Sequence, residues 1–332
     1  MKIVFCAKDQ YNFSRAYSKN VINILKKENN LLHKVDFVTA DDFKNNIHLY
    51  KDVDAIFGTW GCIKFDKHIL DNLINLKIIF YAAGSIRPII SNEFWERGIK
   101  ITSAYGVIAI NVAEFTLASI IFGLKGANKI NSDYKHVKIK NNSDLAIGCY
   151  KSTVGIIGLG QVGINVFKIL KNFDFKIVAY DPYKINTFID PKITFYSDIT
   201  DLFRNSDAVT VHLPLIQETK YFIKKMHILL MKQNSVFINT SRGSVVNENE
   251  LIESLKIRND IFAYLDVTEI EPAEKSNKLY DMDNVFLTPH ISGGNLHEFN
   301  RNGDLMLKEY YNFISNKNLE WEISEDILKN MA

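Results

Sequence analysis

The sequence predicts an α/β protein with two doubly wound parallel sheets. Short apolar runs rich in β-branched residues alternate with helical patterns along most of its 332 residues, which is typical of parallel strands joined by helices. The alternation occurs in two series, on either side of a polar stretch at residues 128–150. Because a chain of this length is long enough for two ordinary domains, we expect each series to form one sheet.

The first series predicts five strands. A helical pattern over residues 14–28 separates the first two strands, and helical stretches lie between most of the others. The predicted strands are residues 2–6, 34–39, 55–59, 77–82 and 100–102.

A strong helix is predicted at the end of the first series, over residues 111–125. Asn111 can cap this helix, and Glu114 follows three residues later, which is the spacing of a capping box. The apolar run of residues 115–124 contains Thr, Ser and Gly and is too short to span a bilayer. The polar residues 128–150 have weak periodicity and predict a loop.

The second series is clearer and predicts six strands. Residues 158–171 predict a loop that leads into a helix, and a further helix covers residues 248–256. From residue 297 onward the chain is helical and charged, and we expect it to pack back on the first half. The predicted strands are residues 153–157, 176–180, 208–212, 235–239, 262–266 and 285–288.

One domain is therefore predicted to be discontinuous, with residues 1–103 and 297–332, and the other to consist of residues 104–296. Ligands of such sheets bind beyond the carboxyl ends of the strands, where the strand order reverses. We expect the active site in a cleft between the two domains.

The composition argues against several classes of function. A formal net charge of +2 gives no reason to expect binding to nucleic acid or to an anionic membrane. The cysteines Cys6, Cys62 and Cys149 are far apart and form no CxxC pair, so we expect no disulfide framework, no metal site and a cytoplasmic location. The first residues, MKIVFCAKDQ, predict a β-strand rather than a signal peptide.

Gly158, Gly160 and Gly163 have the GxGxxG spacing of a dinucleotide-binding loop. Gly158 allows the tight turn, Gly160 lets the backbone approach a pyrophosphate, and Gly163 permits close packing of helix on strand. The motif follows a predicted strand and opens a predicted helix, whose N-terminus attracts phosphate. This context indicates a Rossmann domain.

Asp181 lies 18 positions after Gly163, at the end of the next strand, which is close to the spacing of about 20 expected for this motif. A carboxylate there can accept hydrogen bonds from both ribose hydroxyls and would repel a 2′-phosphate, so NAD is favoured over NADP. The alternative is a turn residue before Pro182, beside an incidental glycine loop.

Three downstream segments carry charged side chains at strand ends: NTSRGSVVN, LDVTEIEP and LTPHISGG. With GLGQVG, YDP and HLPL they stand in the order found in the D-isomer-specific 2-hydroxyacid dehydrogenase family, which this sequence resembles. The resemblance covers nearly all of the cofactor domain, and its best segment in the first half is VAEFTLASI. It implies a Rossmann cofactor domain inserted in a flavodoxin-like substrate domain.

The resemblance also implies an NAD-dependent hydride transfer between nicotinamide and C2 of a small D-2-hydroxy acid or 2-keto acid. Its catalytic residues would be Arg242, Glu271 and His290. The implied cofactor contacts, of which Thr219 varies within the family, are Gly158, Gly160, Gln161, Val162, Gly163, Asp181, Leu213, Pro214, Thr219, Thr240, Ser241 and Asp266.

These residue types suit the chemistry independently of the resemblance. Arg242 offers a planar fork for the carboxylate and carbonyl oxygens, and His290 can give or take the proton. Glu271 beside it would favour the imidazolium, and Asp266 could hold the nicotinamide carboxamide. Taken singly, each residue also has a structural interpretation, as a surface ion pair, a turn residue or a capped loop residue. His212 in HLPL has no evident partner and is interpreted as structural.

The sequence departs from the family in the loop after the fourth strand, which reads YAAGSIRP. Ala83, Gly84 and Ser85 can still present backbone N–H groups to a substrate carboxylate. Arg87 before Pro88 is predicted either to meet a second anionic group of the substrate or to pair with Glu93. Trp60 is predicted to form a pocket wall or to pack in the core.

The substrate and the partners stay open at this point. Glyoxylate or hydroxypyruvate reductase-like and phosphoglycerate dehydrogenase-like activities fit, and formate or phosphite oxidation is possible on the same fold. An NAD-sensing protein that resembles corepressors is the alternative outside enzymes. The family resemblance implies a homodimer formed through the helix of Asn111 and the segment after it.

Overall fold

The computed structural model describes residues 1–33, 35–138 and 146–329. The described residues divide into two compact units, one with Met1–Ile108 and the residues from 294 to 329, and the other with Ala109–Gly293. Each unit contains one parallel sheet, which confirms the predicted fold class. The domain boundaries predicted from the sequence, at 103/104 and 296/297, differ by a few residues from the divisions between these units and stay a prediction.

All strand pairs of both sheets are parallel, because each connection crosses over to a new strand instead of turning back. The sheet of the first unit has the strand order β2-β1-β3-β4-β5, and the sheet of the second has β12-β11-β10-β9-β6-β7-β8. These are the flavodoxin-like and the Rossmann orders. The strands are β1 Lys2–Cys6, β2 Asn30–Leu31, β3 Ala55–Gly58, β4 Ile78–Tyr81, β5 Lys100–Ser103, β6 Thr153–Ile157, β7 Lys176–Tyr180, β8 Ile193–Phe195, β9 Ala208–Val211, β10 Val236–Asn239, β11 Phe262–Leu265 and β12 Val285–Leu287.

Helices connect most of these strands, and the last two follow the second sheet. The α-helices are α1 Gln10–Ala16, α2 Lys19–Glu28, α3 Ala40–Asn45, α4 Lys67–Asn72, α5 Asn92–Glu96, α6 Tyr105–Leu124, α7 Ala127–Val137, α8 Gln161–Leu170, α9 Ile199–Asn205, α10 Lys225–Leu229, α11 Glu248–Ile257, α12 Leu296–Ile314 and α13 Glu325–Lys329.

Aromatic side chains form much of the core on one face of the first sheet. Phe5, Phe57 and Phe80 lie on its three middle strands and are fully buried. The rings of Phe57 and Phe80 stack at 4.8 Å, and Tyr310 of α12 meets both. Burial of one such side chain contributes about 1.5–3 kcal/mol, so this contact holds α12 against the sheet of its own unit.

The helix predicted over residues 14–28 is two helices. Asp9 caps α1 by accepting a hydrogen bond from Asn12 N at 2.8 Å, and Ser18 caps α2 through Val21 N at 3.3 Å. Because Ser and Asp side chains compete for backbone donors, they favour helix starts over helix interiors. The helical periodicity of residues 14–28 continues across Ser18, so it gave no sign that a second helix begins there.

The helix predicted to begin at Asn111 begins at Tyr105 instead. Asn111 is buried inside α6, and its Nδ2 donates to Gly293 O at 3.1 Å rather than capping the helix. With 20 residues and a mean hydropathy of 2.0, α6 is long and apolar enough to cross a membrane. Half of the apolar stretch of α6 is buried inside the protein. The core helix of a soluble protein can be equally long and equally apolar.

Three other predictions of secondary structure were wrong. The helix α7, Ala127–Val137, covers residues 128–137 of the predicted loop, and residues 139–145 of that loop lie outside the described residues. The described part of the predicted strand 34–39 contributes only one bridge, between Val38 and Cys6, and the edge strand is β2. The sequence also missed β8, which has only three residues.

Candidate active and cofactor site

The glycine loop, residues 158–163, joins β6 to α8. Gly158 has a φ of +89°, and a Cβ there would lie 2.8 Å from His212 O. A Cβ on Gly163 would lie 2.0 Å from Gly158 O, whereas a Cβ on Gly160 would meet no atom of the chain within 4 Å. The protein itself therefore requires glycine at 158 and 163, and the space at 160 is open to a ligand.

The N-terminus of α8 has no side-chain cap. Gly160 is the N-cap, Gln161 and Val162 are the first helical residues, and no side chain of the described residues accepts a hydrogen bond there as a cap. The first amides of a helix carry a partial positive charge of about +0.5. This end of α8 can therefore hold an anion such as a pyrophosphate.

Asp181 follows β7 and is linked to the glycine loop. Its Oδ2 accepts a hydrogen bond from Leu159 N at 2.8 Å, and its Oδ1 accepts from Tyr183 N at 2.9 Å and Lys184 N at 3.1 Å. The contacts of a turn residue are present, as the alternative interpretation predicts. Through its hydrogen bond with Leu159 N, the carboxylate also fixes the glycine loop, on which a dinucleotide would lie.

The segment after β9 is held by Thr219 and by the buried His212. The Thr219 hydroxyl accepts from Ile216 N at 3.0 Å and donates to Pro214 O at 2.5 Å, which shapes the turn after Leu213. His212 Nε2 lies 2.9 Å from Thr210 Oγ1, and burial lowers the pKa of His212 to about 3. A neutral, buried imidazole agrees with its structural interpretation.

Asn239, which sequence reasoning missed, shapes the turn that carries Arg242. Its Oδ1 accepts from Ser241 N at 3.1 Å and Ser241 Oγ at 2.8 Å, and its Nδ2 donates to Arg242 O at 3.1 Å. Thr240, between them, lies 3.3 Å from Thr116 of α6, hydroxyl to hydroxyl. An Asn at the last position of a buried strand is the signal that points to such a turn.

Arg242 is half-buried, and burial lowers the pKa of its guanidinium while the charge of Glu271 opposes that effect. Its Nη1 donates to Ser241 O at 2.7 Å. The next residue, Gly243, touches the chain so closely that a Cβ would lie 2.0 Å from the carbonyl of Thr268. This close approach brings the turn of Arg242 against the segment that leads to Glu271.

Glu271 and His290 are in direct contact. Glu271 Oε2 lies 2.9 Å from His290 Nδ1, and both side chains are partly exposed. Burial raises the pKa of Glu271, but the hydrogen bond and charge of His290, a backbone bond from Thr268 and the charge of Arg242 together hold it below its usual value. The carboxylate therefore stays ionised beside the imidazole.

Asp266 fastens the backbone of the segment that carries His290. It is fully buried, and its carboxylate accepts from Thr288 Oγ1 at 2.6 Å and from the amides of Ile291 and Ser292 at 2.8 Å each. Its carbonyl accepts from His290 N at 2.8 Å. These bonds hold His290 in the left-handed region, at a φ of +54°, which His tolerates better than most residues.

Residues 117–292 match the family model described as D-isomer specific 2-hydroxyacid dehydrogenase, NAD binding domain. A glyoxylate reductase of Thermofilum pendens is 32% identical over 289 residues, with 84% of each chain covered. The chain belongs to the D-isomer specific 2-hydroxyacid dehydrogenase family. The resemblance found in the sequence and the prediction of an NAD-binding domain are thereby confirmed.

Two further comparisons give a relative in sequence and a neighbour in fold. A D-3-phosphoglycerate dehydrogenase of Methanocaldococcus jannaschii is 31% identical over 258 residues, which are 77% of this chain and 49% of that protein. The chain thus spans about half the length of that relative. The structure of a glyoxylate reductase from Paecilomyes thermophila superposes with a TM-score of 0.78 at 21% identity, covering 98% of this chain and 99% of that one, and shows the shared fold.

The loop after β4 lies in the first unit. Ser103 Oγ donates to Ala83 O at 2.9 Å and also to Gly84 O, and Ala104 N donates to Ala83 O at 3.0 Å. Among the described residues, the amides of Ala83, Gly84 and Ser85 have no hydrogen-bond partner. Ala83 is buried, whereas Gly84 and Ser85 are partly exposed, so these amides can bind water or an anionic ligand.

Arg87 is exposed and reaches the end of α13. Its Nη2 donates to Leu328 O at 2.5 Å and Lys329 O at 3.2 Å. Carbonyls at a helix C-terminus attract a cation, so these contacts favour a structural role, with carbonyls in place of the predicted Glu93 carboxylate. The predicted contact of Arg87 with a substrate stays a prediction.

Trp60 packs among side chains of its own unit. Its ring meets Phe299 edge-on at 5.0 Å, and the Arg15 guanidinium lies 4.5 Å from its centroid. The interpretation as core packing is supported by these contacts. Arg15 and Phe299 were not singled out from the sequence, because residues so far apart in the chain share no local pattern.

Proposed function

We propose that the chain is an NAD-dependent oxidoreductase that transfers a hydride between nicotinamide and C2 of a small D-2-hydroxy acid or 2-keto acid. The observation that carries the proposal is the contact between Glu271 and His290 beside the half-buried cation Arg242, in the same unit as the glycine loop. We assign these three residues the catalytic roles.

Arg242 binds the keto acid. Its planar guanidinium has N–H groups in a fork that matches two oxygens, so it can hold the substrate carboxylate and the C2 carbonyl oxygen together. Partial burial removes competing water and strengthens this attraction. Because the bond to Ser241 O uses one N–H of Nη1, the other edges of the guanidinium remain for substrate.

His290 supplies the proton. Glu271 holds Nδ1, so Nε2 is the nitrogen that faces the substrate, and in reduction it donates its proton to the C2 oxygen. Bound NADH supplies the hydride. Glu271 stabilises the imidazolium before transfer, and Asp266 keeps the backbone of His290 in place through its bonds to residues 288–292.

The residues present fit the dinucleotide. The uncapped end of α8 and the open space at Gly160 suit the pyrophosphate, and Asp181 suits an unphosphorylated ribose. Leu213, Pro214, Thr240 and Ser241 border the same sheet edge, because they follow β9 and β10. The fully buried Asp266 carboxylate already accepts three bonds, so its contact with the carboxamide remains the least supported.

The relatives favour small substrates. The glyoxylate reductase and the phosphoglycerate dehydrogenase that match this chain are named for a two-carbon and a phosphorylated three-carbon acid. We include in the proposal a homodimer through α6 and the segment after it, a cytoplasmic location, and no nucleic-acid or membrane partner.

The test is a panel of 2-keto acids with NADH and NADPH, followed by absorbance at the nicotinamide band. Glyoxylate, hydroxypyruvate, pyruvate and phosphorylated keto acids should include at least one substrate that NADH reduces with clear preference over NADPH. Formate and phosphite with NAD test the alternative donors. Binding of NADH without turnover of any of these compounds would favour the sensor protein instead, and equal efficiency with NADPH would remove the assigned role of Asp181.

A further inference from the structure

The loop that carries Glu271 is exposed. It comes after β11, and we call residues 268–277 the Glu271 loop. From Ile270 to Ser276 its residues are exposed, apart from the half-buried Ala273. Burial of apolar surface, which stabilises most segments of a folded protein, is therefore small here. The position of the loop depends on its polar contacts.

A cavity lies beside the Glu271 loop. It has a volume of about 490 Å³ and is lined by residues of α11 and of the loop, among them Glu248, Glu269 and Asn277. Water can enter a polar space of this size, so the loop and the helix do not pack closely over their whole length. The contacts that reach from the helix to the loop then determine how firmly the loop is held.

Glu248 makes such contacts on both sides of Glu271. Its Oε2 accepts a hydrogen bond from Glu269 N at 2.7 Å, and its Oε1 accepts from Asn277 Nδ2 at 2.8 Å. Bonds to an ionised carboxylate are stronger than bonds between neutral groups. Because the first bond goes to a backbone amide, it does not depend on the side chain of Glu269. Both oxygens of Glu248 are thus engaged with the Glu271 loop.

The helix that carries Glu248 is itself fixed. Leu251 and Leu255 of α11 are buried in the core, and Asn247 caps the helix by accepting from Glu250 N at 3.2 Å. The turn of Arg242 leads directly into this helix. Glu248 therefore connects the Glu271 loop to a rigid element that begins next to Arg242.

We propose that Glu248 is a positioning residue, which holds Glu271 against His290 by fixing the Glu271 loop on both sides. The inference rests on the proposed function, in which Glu271 stabilises the imidazolium. Glu248 is assigned no contact with substrate or cofactor and acts only through the loop. All of these residues belong to Ala109–Gly293, so the inference concerns a single compact unit.

A double-mutant cycle tests this coupling. Glu248→Ala should lower kcat for keto-acid reduction about tenfold, because a misplacement of about 1 Å can cost up to about 10²-fold in rate. The alkaline fall of kcat/KM should move to lower pH, as in Glu271→Gln, and the Kd for NADH should change less than twofold. In the Glu271→Gln background, Glu248→Ala should lower kcat further by less than twofold, since residues that act through one contact are not additive. Additive effects would overturn the proposal.

Glu250→Ala is the matched control, because Glu250 also lies in the first turn of α11 and is half-buried like Glu248. Its carboxylate accepts from Lys225 N at 2.7 Å and from Asn247 Nδ2 at 3.1 Å, and neither residue belongs to the Glu271 loop. Glu250→Ala should lower the melting temperature but leave kcat within twofold and the alkaline limb in place. An equal loss of kcat in Glu250→Ala and Glu248→Ala would show a general effect on α11 and overturn the role of Glu248.

Glu248→Gln is the second variant, for use if Glu248→Ala does not fold. It keeps an acceptor for Glu269 N but turns an amide nitrogen toward Asn277 Nδ2. Asn277 cannot reverse its own amide without losing the bond from Leu279 N to its Oδ1, at 2.9 Å. Glu248→Gln should therefore show the same changes in kcat and in the alkaline limb, but smaller. A wild-type kcat and a wild-type alkaline limb in this variant would overturn the proposal.

A structural measurement separates this proposal from the proposed function. If no keto acid is reduced, the proposed function fails, and crystal structures without cofactor then test the positioning directly. Wild type and Glu250→Ala should keep Glu271 Oε2 at about 2.9 Å from His290 Nδ1. In Glu248→Ala this distance should exceed about 3.5 Å, the limit of a hydrogen bond. An intact contact in Glu248→Ala would overturn the assignment of Glu248.

Discussion

At the scale of single residues, the imidazole of His290 is the group that we propose for proton transfer, with Nδ1 at 2.9 Å from Glu271 Oε2. His290→Ala should lower kcat for keto-acid reduction by about 10² to 10⁴, the usual contribution of general acid–base catalysis. The Kd for NADH should change less than threefold. Stopped-flow kinetics and fluorescence titration measure the two quantities, and an unchanged kcat would remove His290 from the mechanism.

Glu271 should determine the pH dependence of the same reaction. The proposed mechanism takes a proton from His290, so we expect the rate of reduction to fall as the pH rises. On the acid side, the pKa of Glu271 is held below its ordinary value of 4.5, so the stabilising contact with His290 should persist until the pH falls below the ordinary range of Glu. At pH values above the ordinary range of Glu, protonation of Glu271 should therefore cause no loss of rate.

Glu271→Gln removes the negative charge next to the imidazolium and should move the alkaline fall of the rate to lower pH. The profile of kcat/KM against pH for wild type and variant measures this shift. Glu269→Gln is a suitable control, because Glu269 lies nearby but bonds to the hydroxyl of Tyr221 instead. A fixed alkaline limb in Glu271→Gln would contradict the role assigned to the carboxylate.

The residues of the candidate site were predictable from the sequence to the extent that short motifs contain them. Arg242, Glu271 and His290 stand in such motifs, and Gly158 and Gly163 prove to be required by the backbone. Partners that are distant in the chain were not predictable. The Asp266 carboxylate receives its bonds from residues 288–292, and only folding brings those groups together.

At the scale of elements, the turn from β6 into α8 has two glycines that are needed for different reasons, Gly163 for the packing of the protein and Gly160 for the approach of a ligand. Gly163→Ala places a Cβ 2.0 Å from Gly158 O, so the helix must move away from the strand, and we expect a lower melting temperature. Gly160→Ala places its Cβ in space that is free of protein atoms, so the melting temperature of the protein without cofactor should stay within about 2 °C.

The two variants should therefore differ in what they lose. Gly160→Ala should weaken NADH binding about tenfold or more, because its methyl group lies where the pyrophosphate approaches the backbone. Differential scanning calorimetry without cofactor and titration with NADH measure the two effects. Normal NADH affinity in Gly160→Ala would show that the dinucleotide does not lie over this loop.

The errors in predicting elements have local and tertiary causes. The break between α1 and α2 is local, since Ser18 accepts from Val21 N and starts the second helix. The start of α6 at Tyr105 is tertiary. Gly106 lies where a Cβ would meet the Trp321 ring at 2.1 Å, so the first turn of the helix depends on a residue near the other end of the chain, and no window of sequence contains both.

At the scale of the whole molecule, the sequence predicted two parallel sheets because each alternates strands with helices, and both sheets formed. The glycine loop, Asp181 and the residues proposed for catalysis all belong to Ala109–Gly293. The three tryptophans, Trp60, Trp95 and Trp321, all belong to the other unit. Tryptophan fluorescence therefore reports the unfolding of one unit, and cofactor binding acts on the other.

This separation leads to a prediction for unfolding. Saturating NAD should stabilise Ala109–Gly293 by about 2.7 kcal/mol at 100 times its Kd, which corresponds to roughly 5–10 °C for a unit of this size. The far-UV circular dichroism melt should then gain a later transition, while the midpoint from tryptophan fluorescence stays in place.

Oxidised cofactor is used because NADH absorbs where tryptophan emits. AMP, which lacks the nicotinamide and the full pyrophosphate, is the control and should shift the later transition less. A tryptophan midpoint that rises together with the dichroism transition would show instead that the two units unfold as one.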